Sequence, residues 1–241
     1  MFDIVSVGHL TIDSIFLPDR DTPFVVLGGS VAYSSFAARR LDATVSVVSK
    51  VGGDFPKAYM WWLRQEGIDL SNTIMVENAK TTRFELKYNS NLSSRKLRLK
   101  CKAPSIMIED LPQSFQAKAV HIAPVAGEIP YNLVEELEKH CDILSLDPQG
   151  LVRNFDENGN VVYGSLTDKH VLELIDVYKS SSKEIKAATN ISNLNSAIKA
   201  VHDYGVKIVI VTSGMKGVIL SQENSMLNIP AYKSEKIVDP T

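Results

Sequence analysis

Cysteine is nearly absent. Cys101 and Cys141 are the only two, and they stand in no metal-ligand spacing. That argues against a disulfide scaffold and fits a reducing cytosol. No apolar run approaches the roughly 18 residues of a membrane span. The start, Met1-Phe2-Asp3-Ile4-Val5, has no basic leader, so no signal peptide is expected. Neither sign of charge dominates: 26 Lys and Arg oppose 28 Asp and Glu, for a net charge of −2. Such a balance offers no broad attraction to nucleic acid or to a membrane surface. G-x-x-x-x-G-K-[ST], G-x-S-x-G and a strand-following G-x-G-x-x-G are all missing, and the five histidines show no H-E-x-x-H spacing. These absences argue against a Walker-type phosphate loop, a serine-hydrolase elbow and a zinc peptidase, and weaken a dinucleotide-dependent dehydrogenase.

What is present is an ordered α/β pattern. A chain of 241 residues, 44% hydrophobic and 22% charged, has material for one substantial core. Ile4-Val5-Ser6-Val7-Gly8 reads as a buried strand, with Asp13 just past its carboxyl end. Ligands bind at that edge of open parallel sheets, and a carboxylate there can accept hydrogen bonds from the hydroxyls of a sugar or polyol. An Asx-type cap is the plainer reading. Residues 14–17 and 24–27 are apolar runs around Pro18-Asp19-Arg20-Asp21, which reads as a hairpin. Gly28-Gly29 then leads into a helical pattern over residues 30–41, with Ser30 as the expected N-cap. The turn reads either as substrate-facing or as a tight strand-to-helix connection.

Further on, residues 44–49 read as a strand, and Asp54 and Pro56 as the start of a helix that ends near Gly67. Trp61 and Trp62 on it are expected to pack at the core and rim. Residues 81–102 differ in character. Phe84, Leu86 and Tyr88 alternate with charged residues, as do Leu97, Leu99 and Cys101, which predicts an antiparallel hairpin with one wet face. Seven Lys or Arg face one Glu between Arg83 and Lys102, without interleaved wet aromatics. A nucleic-acid groove would want those aromatics, so a solvated face is expected.

The α/β alternation resumes with strands at 119–123 and 141–146, whose ends carry Glu128 and Asp147, and a helix at 130–140 between them. Residues 154–160 read as a surface loop, 167–178 as a helix capped by Thr167, 184–188 as a short strand, and 193–204 as a helix. Lys207-Ile208-Val209-Ile210-Val211 is the clearest buried strand. It feeds Thr212-Ser213-Gly214-Met215-Lys216-Gly217 and a returning strand.

Taken in order, Gly8 to Asp13, Gly28-Gly29, Val51-Gly52-Gly53-Asp54, the inserted hairpin, the turn from Thr212 to Gly217 and the closing Asp239-Pro240-Thr241 resemble the ribokinase-like (PfkB) family of small-molecule kinases. The resemblance spans essentially the whole chain. It implies an α/β fold, a three-layer Rossmann-like sandwich over residues 1–241 as one domain expected to be incomplete at its C-terminal end, with a small β-hairpin lid at about 12–27 and 81–102. It implies substrate-binding roles for Asp13, Gly28, Gly29, Tyr33 and Glu128, and nucleotide-binding roles for Lys186, Thr212, Gly214 and Gly217. The implied reaction is transfer of the ATP γ-phosphate to a hydroxyl of a sugar, polyol or nucleoside, with Mg²⁺ neutralising phosphate charge. A cytoplasmic location and dimer contact through the lid are further implications.

Three departures qualify the match. Tyr33 stands where the family usually has asparagine, which points away from ribose toward a bulkier or differently hydroxylated acceptor. The family's N-x-x-E motif, expected after Lys186, is replaced there by Ala188-Thr189-Asn190-Ile191. Members also continue from Asp-Pro-Thr into Gly-Ala-Gly-Asp, whose glycines form an anion hole and whose aspartate is the general base. The base is therefore expected beyond Thr241, and residues 1–241 alone are expected to be inactive. The alternative is a non-catalytic sugar- or nucleoside-binding regulatory protein derived from the family.

Overall fold

The valine- and isoleucine-rich runs become central strands, because β-branched side chains suit a pleated, buried surface. This is a computed structural model, and it describes residues 1–92, 94–112, 114–222 and 225–232. β1 (Phe2–Val7) is followed by the hairpin of β2 (Thr11–Phe16) and β3 (Phe24–Gly28), then by α1 (Ser30–Arg40). β4 (Val45–Gly52), α2 (Lys57–Gln65), β5 (Ile68–Asp69) and β6 (Thr73–Val76) come next. β7 (Arg83–Tyr88) and β8 (Arg95–Cys101) form the second hairpin. β9 (Ala117–Ile122), α3 (Tyr131–Glu138), β10 (Cys141–Leu146) and α4 (Gln149–Val152) lead to the short hairpin of β11 (Arg153–Phe155) and β12 (Val161–Tyr163). The remainder is β13 (Val177–Ser181), α5 (Ser182–Thr189), α6 (Leu194–His202), β14 (Ile208–Thr212), β15 (Val218–Gln222) and β16 (Ser225–Ile229).

The ten-stranded main sheet runs β16-β15-β14-β13-β10-β9-β1-β4-β5, with β6 beside β4. Its pairings are parallel except those of β15 with β14 and β16. Val45 and Val47 of β4 pack with Val31 and Ala32 of α1 and Leu63 of α2. Val48, on the opposite face, joins the core that holds Leu133 and Leu137 of α3, Ile185 of α5 and Ile198 of α6. Helices therefore cover both faces, giving the three layers expected of a mostly parallel sheet. Among the described residues, no helix is long and apolar enough to cross a membrane.

The two hairpins join into a second sheet of order β3-β2-β7-β8, in which β2 and β7 run parallel. Phe84, Leu86 and Tyr88 form its buried face and pack on Val125 and Ala126 of the main body. Its roots are fixed by polar contacts. His9 Nε2 donates to the Pro104 carbonyl at 3.0 Å, and the Thr82 hydroxyl donates to Nδ1 at 2.8 Å. Burial holds the pKa of His9 below its ordinary value, which keeps the ring in this neutral form.

Several local expectations are corrected. Ser30 is the first helical residue of α1, not its cap: Gly29 holds the N-cap position at φ +96°. Pro56 precedes α2, and Asp54 instead accepts from the Thr81 N–H and hydroxyl and from Arg83, at 2.8 to 3.0 Å, tying the lid to the body. Trp61 and Trp62 are 64% and 42% exposed, and Trp62 packs on Phe36 with ring centroids 4.9 Å apart. Residues 167–178 divide into a 3₁₀ turn, Lys169–Leu174, and β13, which fills the sheet position between β10 and β14. Residues 184–188 are helical because Ser181 and Glu184 close a capping box at the start of α5. The loop expected at 154–160 is the tip of the β11–β12 hairpin, whose Gly159 carbonyl accepts from Leu99 N–H of the lid at 2.8 Å. Asp239-Pro240-Thr241 lies outside the described residues.

Candidate active site

The carboxyl ends of β9, β10 and β13 open beneath the lid into a cavity of about 510 Å³. Asp13 enters it from β2, where its neighbour Ile12 faces the core. Gly29, Tyr33 and Ser34 bring in α1, while Phe84, Leu86, Arg95 and Leu97 form the lid side. His121, Asp147 and Lys179 close the floor from the sheet edge.

Gly28 makes room for the Asp13 carboxylate, and Gly29 for the backbone turn before it. A Cβ on Gly28 would lie 2.2 Å from Asp13 Oδ2. A Cβ on Gly29 would lie 2.3 Å from the His9 carbonyl oxygen, at a φ of +96° that L side chains rarely adopt. Asp13 Oδ1 accepts from the Thr11 hydroxyl at 2.7 Å. Burial pushes the Asp13 pKa up to about 6, against the opposing pull of Thr11, Arg95 and Arg153. On the floor, Lys179 donates to Asp147 at 2.8 Å, and the Gln149 N–H donates to its other oxygen at 3.2 Å. His121 Nδ1 lies 3.1 Å from Ser145 Oγ, and burial keeps its imidazole below its ordinary pKa. The cavity therefore combines an apolar roof with a carboxylate, a neutral imidazole and cationic donors. That combination suits a small polyhydroxylated molecule.

Glu128 does not line this cavity. It is fully buried and accepts from the backbone N–H groups of His9 at 3.0 Å, Val125 at 2.9 Å and Ala126 at 2.7 Å. Its carboxylate is consumed in binding the turn after β1 to the loop after β9.

A second groove, of about 460 Å³, lies between α5 and the β14–β15 turn. Lys186, Thr212 and Gly214 line it together with Ser182, Lys183 and Lys216. Gly217 closes the turn at φ +92°, where a Cβ would lie 2.0 Å from the Ile229 carbonyl oxygen. It shapes the groove without lining it. Hydroxyls and ammonium groups of this kind fit the oxygens of a polyphosphate. The described residues hold no cluster of three metal-ligating side chains. A magnesium ion bound through phosphate oxygens needs few protein ligands.

Arg95, His121, Arg153 and Lys179 were not legible as site residues. Lys179 directly follows a segment, residues 167–178, whose pattern reads as helix, and Arg153 abuts one that reads as loop. A signal did exist for α5: Ser181-Ser182-Lys183-Glu184 carries the S-x-x-E spacing of a capping box.

Comparison with known proteins agrees with this geometry. The chain is 25% identical over 244 residues to the cytidine kinase of Thermococcus kodakarensis, covering all of this chain and 84% of that protein. It is 26% identical over 247 residues to inositol 3-kinase of Arabidopsis thaliana, covering 99% of this chain and 64% of that one. Among solved structures, a pyrophosphate-dependent kinase in the ribokinase family superposes with a TM-score of 0.81 at 25% identity, over 94% of this chain and 78% of that one. The model of the pfkB family of carbohydrate kinases matches residues 1–241. With this match and the ribokinase fold, the chain belongs to the pfkB family, as a phosphotransferase for alcohol groups of sugars, polyols or nucleosides.

Proposed function

We propose that this chain is a single ribokinase-like unit that moves the terminal phosphoryl group of ATP to a hydroxyl of a small polyol, sugar or nucleoside held against Asp13. The observation that carries the reading is the seating of Asp13 over Gly28 inside a lidded cavity of about 510 Å³ that Gly29 also lines. In its ionised form, Asp13 accepts hydrogen bonds from acceptor hydroxyls and fixes which one faces the donor. Tyr33, at the cavity rim, limits the shape of the acceptor. Phe84 and Leu86 exclude water from above. Glu128 acts from behind, tying the turn at His9 to the loop whose Val125 lines the cavity, rather than touching the acceptor.

Lys186, Thr212 and Gly214 receive the donor phosphates, with Gly217 setting the turn. A Mg²⁺ ion bound with the donor would neutralise charge on those phosphates. A homodimer through the lid is supported by Phe24 and Val25 of β3, which are 41% and 53% exposed on an edge strand. The two free cysteines support a cytoplasmic location.

Pyrophosphate is the second donor reading. Among the described residues lining the donor groove, Leu194 is the sole large apolar side chain beside three lysines. The test is ³¹P NMR with ATP or pyrophosphate against a panel of myo-inositol, ribose, fructose and cytidine. A phosphomonoester on one panel member is expected from protein that carries the base expected beyond Thr241, and acceptor binding without transfer from residues 1–241 alone. Absence of both transfer and acceptor binding across the panel contradicts the reading.

A further inference from the structure

We propose that Arg153 is a positioning residue that couples the acceptor cavity to the donor groove through Glu184. The inference rests on the phosphotransfer reading above. Arg153 opens β11 at the cavity wall, with its side chain 9% exposed. Its charge reaches Asp13, where it favours the ionised carboxylate. Yet this guanidinium is poorly engaged. Its Nη2 lies 3.5 Å from Glu184 Oε1, well beyond the usual 2.7–2.9 Å of a charge-assisted hydrogen bond. Its Nε is buried with no hydrogen-bond partner among the described residues. The neighbouring Lys179–Asp147 pair closes at 2.8 Å, so slackness is particular to Arg153 and not general at this edge.

From Glu184 the connection runs on to the groove. Glu184 Oε2 accepts from the Ser181 N–H at 2.9 Å and from its hydroxyl at 2.7 Å, which fixes the first turn of α5. The next residue, Ser182, lines the donor groove, donates to the Thr212 carbonyl at 3.3 Å and meets the Ser213 hydroxyl. Polar contacts, with one peptide link between Ser181 and Ser182, thus lead from Arg153 on the cavity wall to the donor turn. An acceptor seated on Asp13 restricts the slack guanidinium. Arg153 then tightens on Glu184, and the start of α5 is set against the donor. A purely structural ion pair has no reason to be left open with a buried donor unmet.

The experiment is calorimetry on the full chain, with myo-inositol and cytidine as acceptor probes and ATP and pyrophosphate as donor probes. The donor Kd is measured with and without saturating acceptor. Wild type is expected to bind donor about five-fold or more tightly in the presence of acceptor, with the reciprocal effect on acceptor binding. Arg153→Gln is expected to bring that ratio to about one; acceptor alone binds more weakly, because a charge favouring ionised Asp13 is lost, while donor alone binds within about three-fold of wild type. Arg153→Lys keeps the charge but not the fork, and a reduced ratio is expected. Glu184→Gln preserves the capping box, since glutamine serves at that position, and removes only the charge that Arg153 meets. It therefore reads the same link if Arg153→Gln does not fold. A wild-type ratio of one, or an unchanged ratio in the variants, overturns the coupling and leaves the phosphotransfer reading standing. Failure of every acceptor and donor to bind overturns both.

Discussion

At the proposed acceptor cavity, carboxylates meet partners in buried surroundings; at the proposed donor groove, cations stand in solvent. Asp13 and Asp147 are held by Thr11 and Lys179, and Glu128 beneath them is sealed among backbone N–H groups. Across the sheet edge, Lys183, Lys186 and Lys216 are exposed, and every residue of β16 beside the turn is exposed as well. A buried site fixes geometry and shifts pKa values, because desolvation strengthens each interaction and penalises unpaired charge. An exposed set of lysines attracts phosphate but orients it weakly, because screening by water and salt reduces each contact. On the proposed assignment of the two sites, selectivity for the acceptor would reside in the cavity, while the groove would contribute charge.

Changes on the cavity side should accordingly be severe, and changes on the groove side mild. The largest effect is expected for Glu128→Ala, which strands three buried N–H groups. Urea denaturation should show a stability loss of about 3 kcal/mol or more. A loss under about 1 kcal/mol would mean the carboxylate is not the clamp described. Next comes Gly28→Ala, whose Cβ displaces the Asp13 carboxylate. Acceptor affinity should fall roughly ten-fold or more, with donor affinity unchanged. An equal fall in both affinities would erase the contrast between the two regions.

A smaller effect is expected from pH. Asp13, with its pKa pushed up to about 6, is protonated at pH 5 and ionised at pH 7. Only the ionised form offers both oxygens as acceptors. Acceptor affinity should thus rise between pH 5 and pH 7, with its midpoint near the Asp13 value, and Asp13→Asn should flatten the profile. Smallest is Lys186→Ala. Donor affinity should weaken by about two- to five-fold, less so at high salt, with acceptor affinity untouched. A hundred-fold loss would place Lys186 in a far tighter site than its exposure indicates.

The same contrast explains what is legible in the sequence. The lid shows in the period-two alternation of Phe84, Leu86 and Tyr88, because one face of the hairpin is dry and the other wet. Gly29 stands out because a positive-φ turn demands glycine, and Asp13 because it follows the end of β1, although it lies within β2. The parallel pairing of β2 with β7 joins segments about seventy residues apart, and no local pattern encodes it. Glu128 looks like a ligand carboxylate from its place in the chain; only the fold reveals the N–H groups that claim it. Taken alone, residues 184–188 do not declare α5. The serine three residues before Glu184 does, through its reciprocal cap. Arg153 and Lys179 carry no local signature at all, since their significance arises from three strands meeting at one edge.

The most direct single measurement is calorimetric titration of myo-inositol, ribose, fructose and cytidine into wild type and Asp13→Asn at pH 7.5. At least one acceptor should bind wild type and weaken roughly ten- to hundred-fold in the variant, the loss expected for a buried, charge-assisted hydrogen bond. Equal binding to both proteins would contradict the role given to Asp13, and with it the placement of the acceptor under the lid.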